Sequence, residues 1–142
     1  MAGVRRYAEG TKVTVESSRG EITGILAKHG VERMGWSSEP LMDQLVFELS
    51  GGTYRLTMTK PTITEIRRLY PNAYDEDAKV AGEWRRRWRA NVLLLKAKLE
   101  FIESGDTTIE RELLPYRVLK DGKTIEEMIS NGGLPLLEAR AR

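Results

Sequence analysis

The 142 residues contain no cysteine, which excludes disulfides, iron–sulfur clusters and thiolate zinc sites and makes a reducing compartment the natural setting. Long apolar runs are missing as well. No stretch approaches the roughly 20 residues of a membrane span, and the first ten residues lack the apolar centre of a secretory signal. The expectation is a cytoplasmic protein with no membrane partner. An excess of one charge sign is also lacking, since 23 Lys and Arg face 21 Asp and Glu. A nucleic-acid reading therefore rests on where the positive charge clusters, not on its sum.

Catalytic signatures are sparse. His29 is the sole histidine, placed beside the glycine that closes a predicted helix, where an imidazolium gains from the negative helix end. That role is preferred over a catalytic base, because no cysteine and no Gly-x-Ser-x-Gly elbow accompany it. The trio Asp75-Glu76-Asp77 is explained by the positive end of a following helix rather than by a metal. No Gly-Lys-Ser/Thr follows Gly51-Gly52 or Gly132-Gly133, so no phosphate loop is present. No catalytic residue, metal or small-molecule cofactor is assigned, and the pattern points away from an enzyme.

The length suits one domain, able to bury roughly 70% of its unfolded surface. Thr11 to Glu16 alternates and reads equally as an edge strand or an extended lead-in. Ser18-Arg19-Gly20-Glu21 has the spacing of a capping box, so a helix is expected from there to Gly30 with Ile22, Ile25 and Leu26 on one face. Val31 to Trp36 reads as a first strand. Residues 43–50 and 53–59 both alternate with period two around Gly51-Gly52, which predicts a hairpin. A turn at those two glycines sets Leu49 opposite Tyr54, Phe47 opposite Leu56 and Leu45 opposite Met58, and pairs Glu48 with Arg55.

After Lys60-Pro61, residues 61–77 form a linker with a short helical turn at 63–69. From Asp75 or Ala78 to Ser104 runs a long helix, with Val80, Trp84, Trp88, Val92, Leu95, Leu99 and Ile102 stepping along one side. It spans roughly 40 Å, longer than the sheet it should cover. Thr107 and Glu110 mark a second capping box, residues 116–119 read as extended, and Thr124 opens a last short helix ending near Asn131. The fold class is α+β: helix, three-stranded antiparallel sheet, long amphipathic helix packed on the sheet, and a small C-terminal helical appendage. The core covers about 15–104, the appendage about 105–133, and the tail 134–142 is expected to fray.

The run Glu83-Trp84-Arg85-Arg86-Arg87-Trp88-Arg89 carries the functional signal. At 100° per residue Trp84 and Trp88 share the core face, while Arg85 and Arg89 share a flank and Arg86 lies toward water. Guanidinium groups on such a ridge grip phosphates. The candidate nucleic-acid-binding residues are thus Arg85, Arg86 and Arg89, supported by Lys96 and Arg55. The competing reading makes the tryptophans anchors and the arginines partners of nearby acids. Trp36 is a base-stacking candidate, though a tryptophan bordering an apolar sheet is more often core. Further positive charge is scattered among Arg5-Arg6, Lys12, Arg19, Arg33, Arg67-Arg68, Lys120, Lys123, Arg140 and Arg142, and convergence of Arg5-Arg6 and Arg67-Arg68 with the ridge would form one basic patch. The alternative partner is protein: Leu93 and Leu94 lie outside the main apolar stripe, as in a homo-oligomer.

Two segments carry a resemblance: Trp84-Arg85-Arg86-Arg87-Trp88-Arg89-Ala90-Asn91-Val92-Leu93-Leu94-Leu95-Lys96-Ala97-Lys98-Leu99-Glu100, and Leu114 to Ile125. Together they resemble a group of small uncharacterised proteins of bacterial genomes and their phages. The resemblance implies a phage or prophage setting and brings no activity or site residue. Separately, the order α-β-β-β-α is similar to the double-stranded RNA-binding domain. That family's basic Lys-Lys-x-Ala-Lys segment has no equivalent at Asp75 to Val80, so the likeness concerns fold alone.

Overall fold

The computed structural model describes residues 4–133 and 136–139. The expectation of a frayed tail lies partly outside them, as do Arg140 and Arg142. In chain order the elements are α1 (Val15–Lys28), β1 (Met34–Ser38), β2 (Met42–Leu49), β3 (Gly52–Thr59), α2 (Ile63–Leu69), α3 (Glu76–Glu103), α4 (Ile109–Leu113), a 3-10 turn (Leu114–Tyr116) and α5 (Ile125–Ser130). The sheet is antiparallel in the order β1-β2-β3. The α+β architecture with a long helix over the sheet matches the sequence expectation. No described helix is long and apolar enough to cross a membrane.

Alternation in the hairpin places Leu45, Phe47, Leu49, Tyr54, Leu56 and Met58 on one buried face. Against it α3 sets Trp88, Val92, Leu95 and Leu99, and α1 sets Ile22 and Leu26. Each such fully buried side chain contributes about 1.5–3 kcal/mol. The indoles lock the junction: Trp88 lies 5.3 Å from Trp36 and 5.8 Å, edge to face, from Trp84. Trp36 thus packs with the core, as the structural alternative for it required.

The hairpin register differs from expectation by two residues. Leu49 pairs with Gly52, Phe47 with Tyr54 and Leu45 with Leu56. The turn is Ser50-Gly51, both with positive φ (49° and 79°). Gly52 opens β3 instead, and a Cβ there would require the Arg117 guanidinium to shift. A slip of two keeps every side chain on its face, so the core is unchanged. The expected Glu48–Arg55 pair is replaced: Glu48 lies 3.7 Å from Arg33, while Arg55 donates to Glu127 at 2.8 Å.

Thr14, not Ser18, caps α1, its hydroxyl accepting the Ser17 N–H at 3.1 Å. The earlier start adds a turn that brings Val15 to the core and buries Ser18 inside the helix, so the lead-in from Thr11 forms no strand. The first strand begins three residues later than expected, and α4 is capped by Thr108 rather than Thr107. The 28 residues of α3 outrun the sheet, and the excess packs on α2 and α4. Helices α1 and α3 run parallel, since Ser18 near the start of α1 meets Arg89 at the middle of α3 and Lys28 at the end of α1 meets Glu100 near the end of α3.

Candidate nucleic-acid interface

The outward side of α3 changes character along its length. Lys79, Gly82, Glu83 and Arg86 recur at three- and four-residue steps, as do Ala90, Leu94, Ala97 and Phe101 beyond them. One azimuth therefore carries a polar half followed by an apolar half. Over the polar half lies the segment Arg6–Lys12, fastened at Glu83.

Glu83 is the hub. Its side chain is fully buried and accepts from Arg6 at 2.9 Å and Arg86 at 2.6 Å, with Arg87 at 3.4 Å. Burial alone pushes its carboxyl up, but the hydrogen bonds from Arg86 and Arg6 prevail and hold it below the ordinary carboxylate value. Arg6 also donates to Tyr70 at 3.3 Å, and the same phenol reaches Glu9 at 3.4 Å. Arg87 bridges to Glu65 at 2.6 Å and to the Thr59 carbonyl at 2.9 Å, tying α2 and the end of β3 to the hub. Of the basic pairs expected to converge with the helix arginines, Arg6 meets them through a shared buried carboxylate, whereas Arg5 donates to the Glu9 carbonyl and Arg67 pairs with Glu76.

Between this segment, Tyr70 and α3 lies a cavity of 310 Å³ lined by Lys12, Lys79, Arg85 and Arg86, with Glu9 and Glu83. Of these four cationic side chains Arg86 is paired with Glu83, and Glu9 accepts from the Arg6 backbone N–H and the Tyr70 hydroxyl. Arg85 is held by one bond only, Nε to the Thr11 carbonyl at 3.3 Å. Its terminal nitrogens donate to nothing else among the described residues. Lys79 lies 4.7 Å over the Tyr70 ring, and Lys12 is exposed with no described partner. Gly82 keeps the cavity floor free of a side chain.

The five residues singled out from sequence are not brought together. Arg85 and Arg86 line the cavity. Arg89 faces α1, donating to Glu21 and to Ser18 at 3.3 Å, and that contact lowers the Glu21 carboxyl from its usual range. Lys96 is exposed one helical stretch further on. Arg55 lies on the other face of the sheet, donating to Glu127 and to the Gly122 carbonyl at 3.0 Å. The 440 Å³ groove beside it also contains Glu126, leaving more acid than base.

Lys12, one of the scattered charges, and Lys79, which the sequence reading did not single out, complete the basic lining, with Arg6 bound at Glu83 beside it. The three- and four-residue steps from Lys79 to Arg86 were the available signal for Lys79. Nothing local signals Arg6 or Lys12, because 77 and 73 positions separate them from Glu83 and Arg85. No protein-family model, curated protein or solved structure matches this chain.

Proposed function

We propose that this protein is a non-enzymatic nucleic-acid-associated factor that holds the phosphate backbone at the cavity between residues 6–12 and α3. The observation that carries the reading is the meeting of Lys12, Lys79, Arg85 and Arg86 around one concavity. Arg85 presents a free guanidinium edge and the lysines supply point charge, the combination that binds phosphate oxygens without reading bases. Arg55 and Arg89 lie outside the cavity and are engaged by acids, and Arg86, which lines it, is engaged by Glu83, so Lys12, Lys79 and Arg85 are the groups assigned to the ligand. A cytoplasmic, phage or prophage setting is part of the same proposal.

Binding of labelled single- and double-stranded DNA and RNA, measured by anisotropy at two salt concentrations, tests the reading. Salt-sensitive binding weakened, with a shallower salt dependence, in a Lys12→Ala/Arg85→Ala variant is expected. No salt-sensitive binding at low salt, or binding indifferent to both substitutions, overturns it.

A second reading, assembly through self-association, has its own support. Leu93, Leu94 and Phe101 are 46%, 38% and 58% exposed on the outward face of α3. In an antiparallel pairing of two copies Phe101 would meet Ala90 and Leu94 would meet Ala97, so a large side chain faces a small one in each layer. Light scattering decides: a dimer converted to monomer by Leu94→Asp supports it, and a wild-type monomer at high concentration removes it.

A further inference from the structure

The parallel arrangement of α1 and α3 brings two helix C-termini, each with its partial negative charge, to the same end of the molecule. The last turn of α3 has no basic residue and instead carries Glu100 and Glu103. Between them stands His29, the residue that closes α1. Its side chain is only 5% exposed, and its Nε2 is buried without a hydrogen-bond partner.

The unpartnered Nε2 and its distance to Glu100 suit a shared metal ion. Nε2 lies 3.6 Å from Glu100 Oε1, too long for a hydrogen bond. A tetrahedral zinc ion with bonds of about 2.0–2.1 Å holds its nitrogen and oxygen ligands about 3.4 Å apart. Nδ1 lies 3.0 Å from Glu103 Oε2, the position from which a carboxylate orients a metal-ligating imidazole and keeps the other nitrogen free to coordinate. All three donor atoms fall within 4.8 Å of one another. A cavity of 390 Å³, lined by Lys28, His29, Glu103, Leu49, Leu99 and Ile109, opens beside the ring.

We propose that His29 and Glu100 bind a divalent transition-metal ion of the zinc class, with Glu103 orienting the imidazole and water completing the coordination. Lys28 competes for the site, because its ammonium lies 3.1 Å from the same Glu100 oxygen and holds that carboxyl below its usual range. It is largely exposed and swings away at little cost when a cation of higher charge enters.

Titration calorimetry with zinc chloride on the full chain, and the visible absorption of the cobalt(II) form, test the site. Saturable one-to-one binding with a tetrahedral cobalt spectrum is expected, abolished by His29→Ala and by Glu100→Gln. Glu103→Gln should weaken binding about 10–100-fold, the usual cost of losing a carboxylate behind a ligand. Lys28→Ala, at an exposed position that the fold does not need, should tighten it. Absence of saturable binding at millimolar zinc overturns the proposal, as do equal affinities in wild type and Glu100→Gln. Weaker binding in Lys28→Ala also counts against it.

Discussion

Replacing Glu83 with glutamine should move stability and anion binding in opposite directions. The carboxylate is fully buried and shared by Arg6, Arg86 and Arg87, whose side chains keep 33%, 17% and 21% of their exposure. Removing one partner of a buried ion pair typically costs about 3–5 kcal/mol. Here the guanidiniums reach water and the amide still accepts one bond, so about 2–3 kcal/mol is expected. With an unfolding entropy of roughly 2.1 cal/mol/K per residue over 142 residues, the melting temperature should fall by about 7–10 °C. The same substitution adds one unit of positive charge beside the cavity and loosens Arg6 and Arg86. At temperatures where both proteins are folded, oligonucleotide affinity at low salt should therefore rise. Thermal and urea denaturation paired with anisotropy measure the two arms. A variant as stable as wild type, or one that is folded yet binds more weakly, refutes the hub assignment.

Further outcomes follow from the same contacts. Arg89→Ala should leave oligonucleotide binding within a factor of about two while lowering stability by about 1–2 kcal/mol, because it removes a charged hydrogen-bond donor joining α3 to Glu21 and Ser18 of α1; urea unfolding and anisotropy check both. Gly51→Ala should destabilise by about 1–2 kcal/mol, since φ is +79° at the hairpin turn, as a denaturant midpoint will show. Glu83 has a folded-state pKa depressed below the ordinary 4.5, so its contribution is present above that value and is lost as pH falls through the folded pKa. Melting temperature should accordingly drop more steeply below about pH 4.5 in wild type than in Glu83→Gln.

The elements that sequence made legible are those whose periodicity is long. Seven apolar positions at three- and four-residue steps defined α3, and two alternating runs around a glycine pair defined the hairpin face. The turn itself was not readable, because Ser50-Gly51 and Gly51-Gly52 give identical faces. The contacts that β3 makes with residues 117 and 118, more than 60 positions on, belong to the observed register and are invisible locally. The start of α1 was misplaced for a similar reason: Thr14 and Ser18 are both competent caps, and the choice is made by burying Val15 and Ser18. At the candidate site, Arg85 and Arg86 were visible as local charge. Which arginines remain available was not, since that depends on acids met through tertiary contact, such as Glu21 for Arg89 and Glu127 for Arg55.

The most direct measurement is the slope of log affinity against log salt for wild type and the Lys12→Ala/Arg85→Ala variant on the same oligonucleotide. Two phosphate contacts fewer should reduce the slope by about 1.4 on a single strand and about 1.8 on a duplex. A correctly folded variant with an unchanged slope would contradict the placement of phosphate in this cavity.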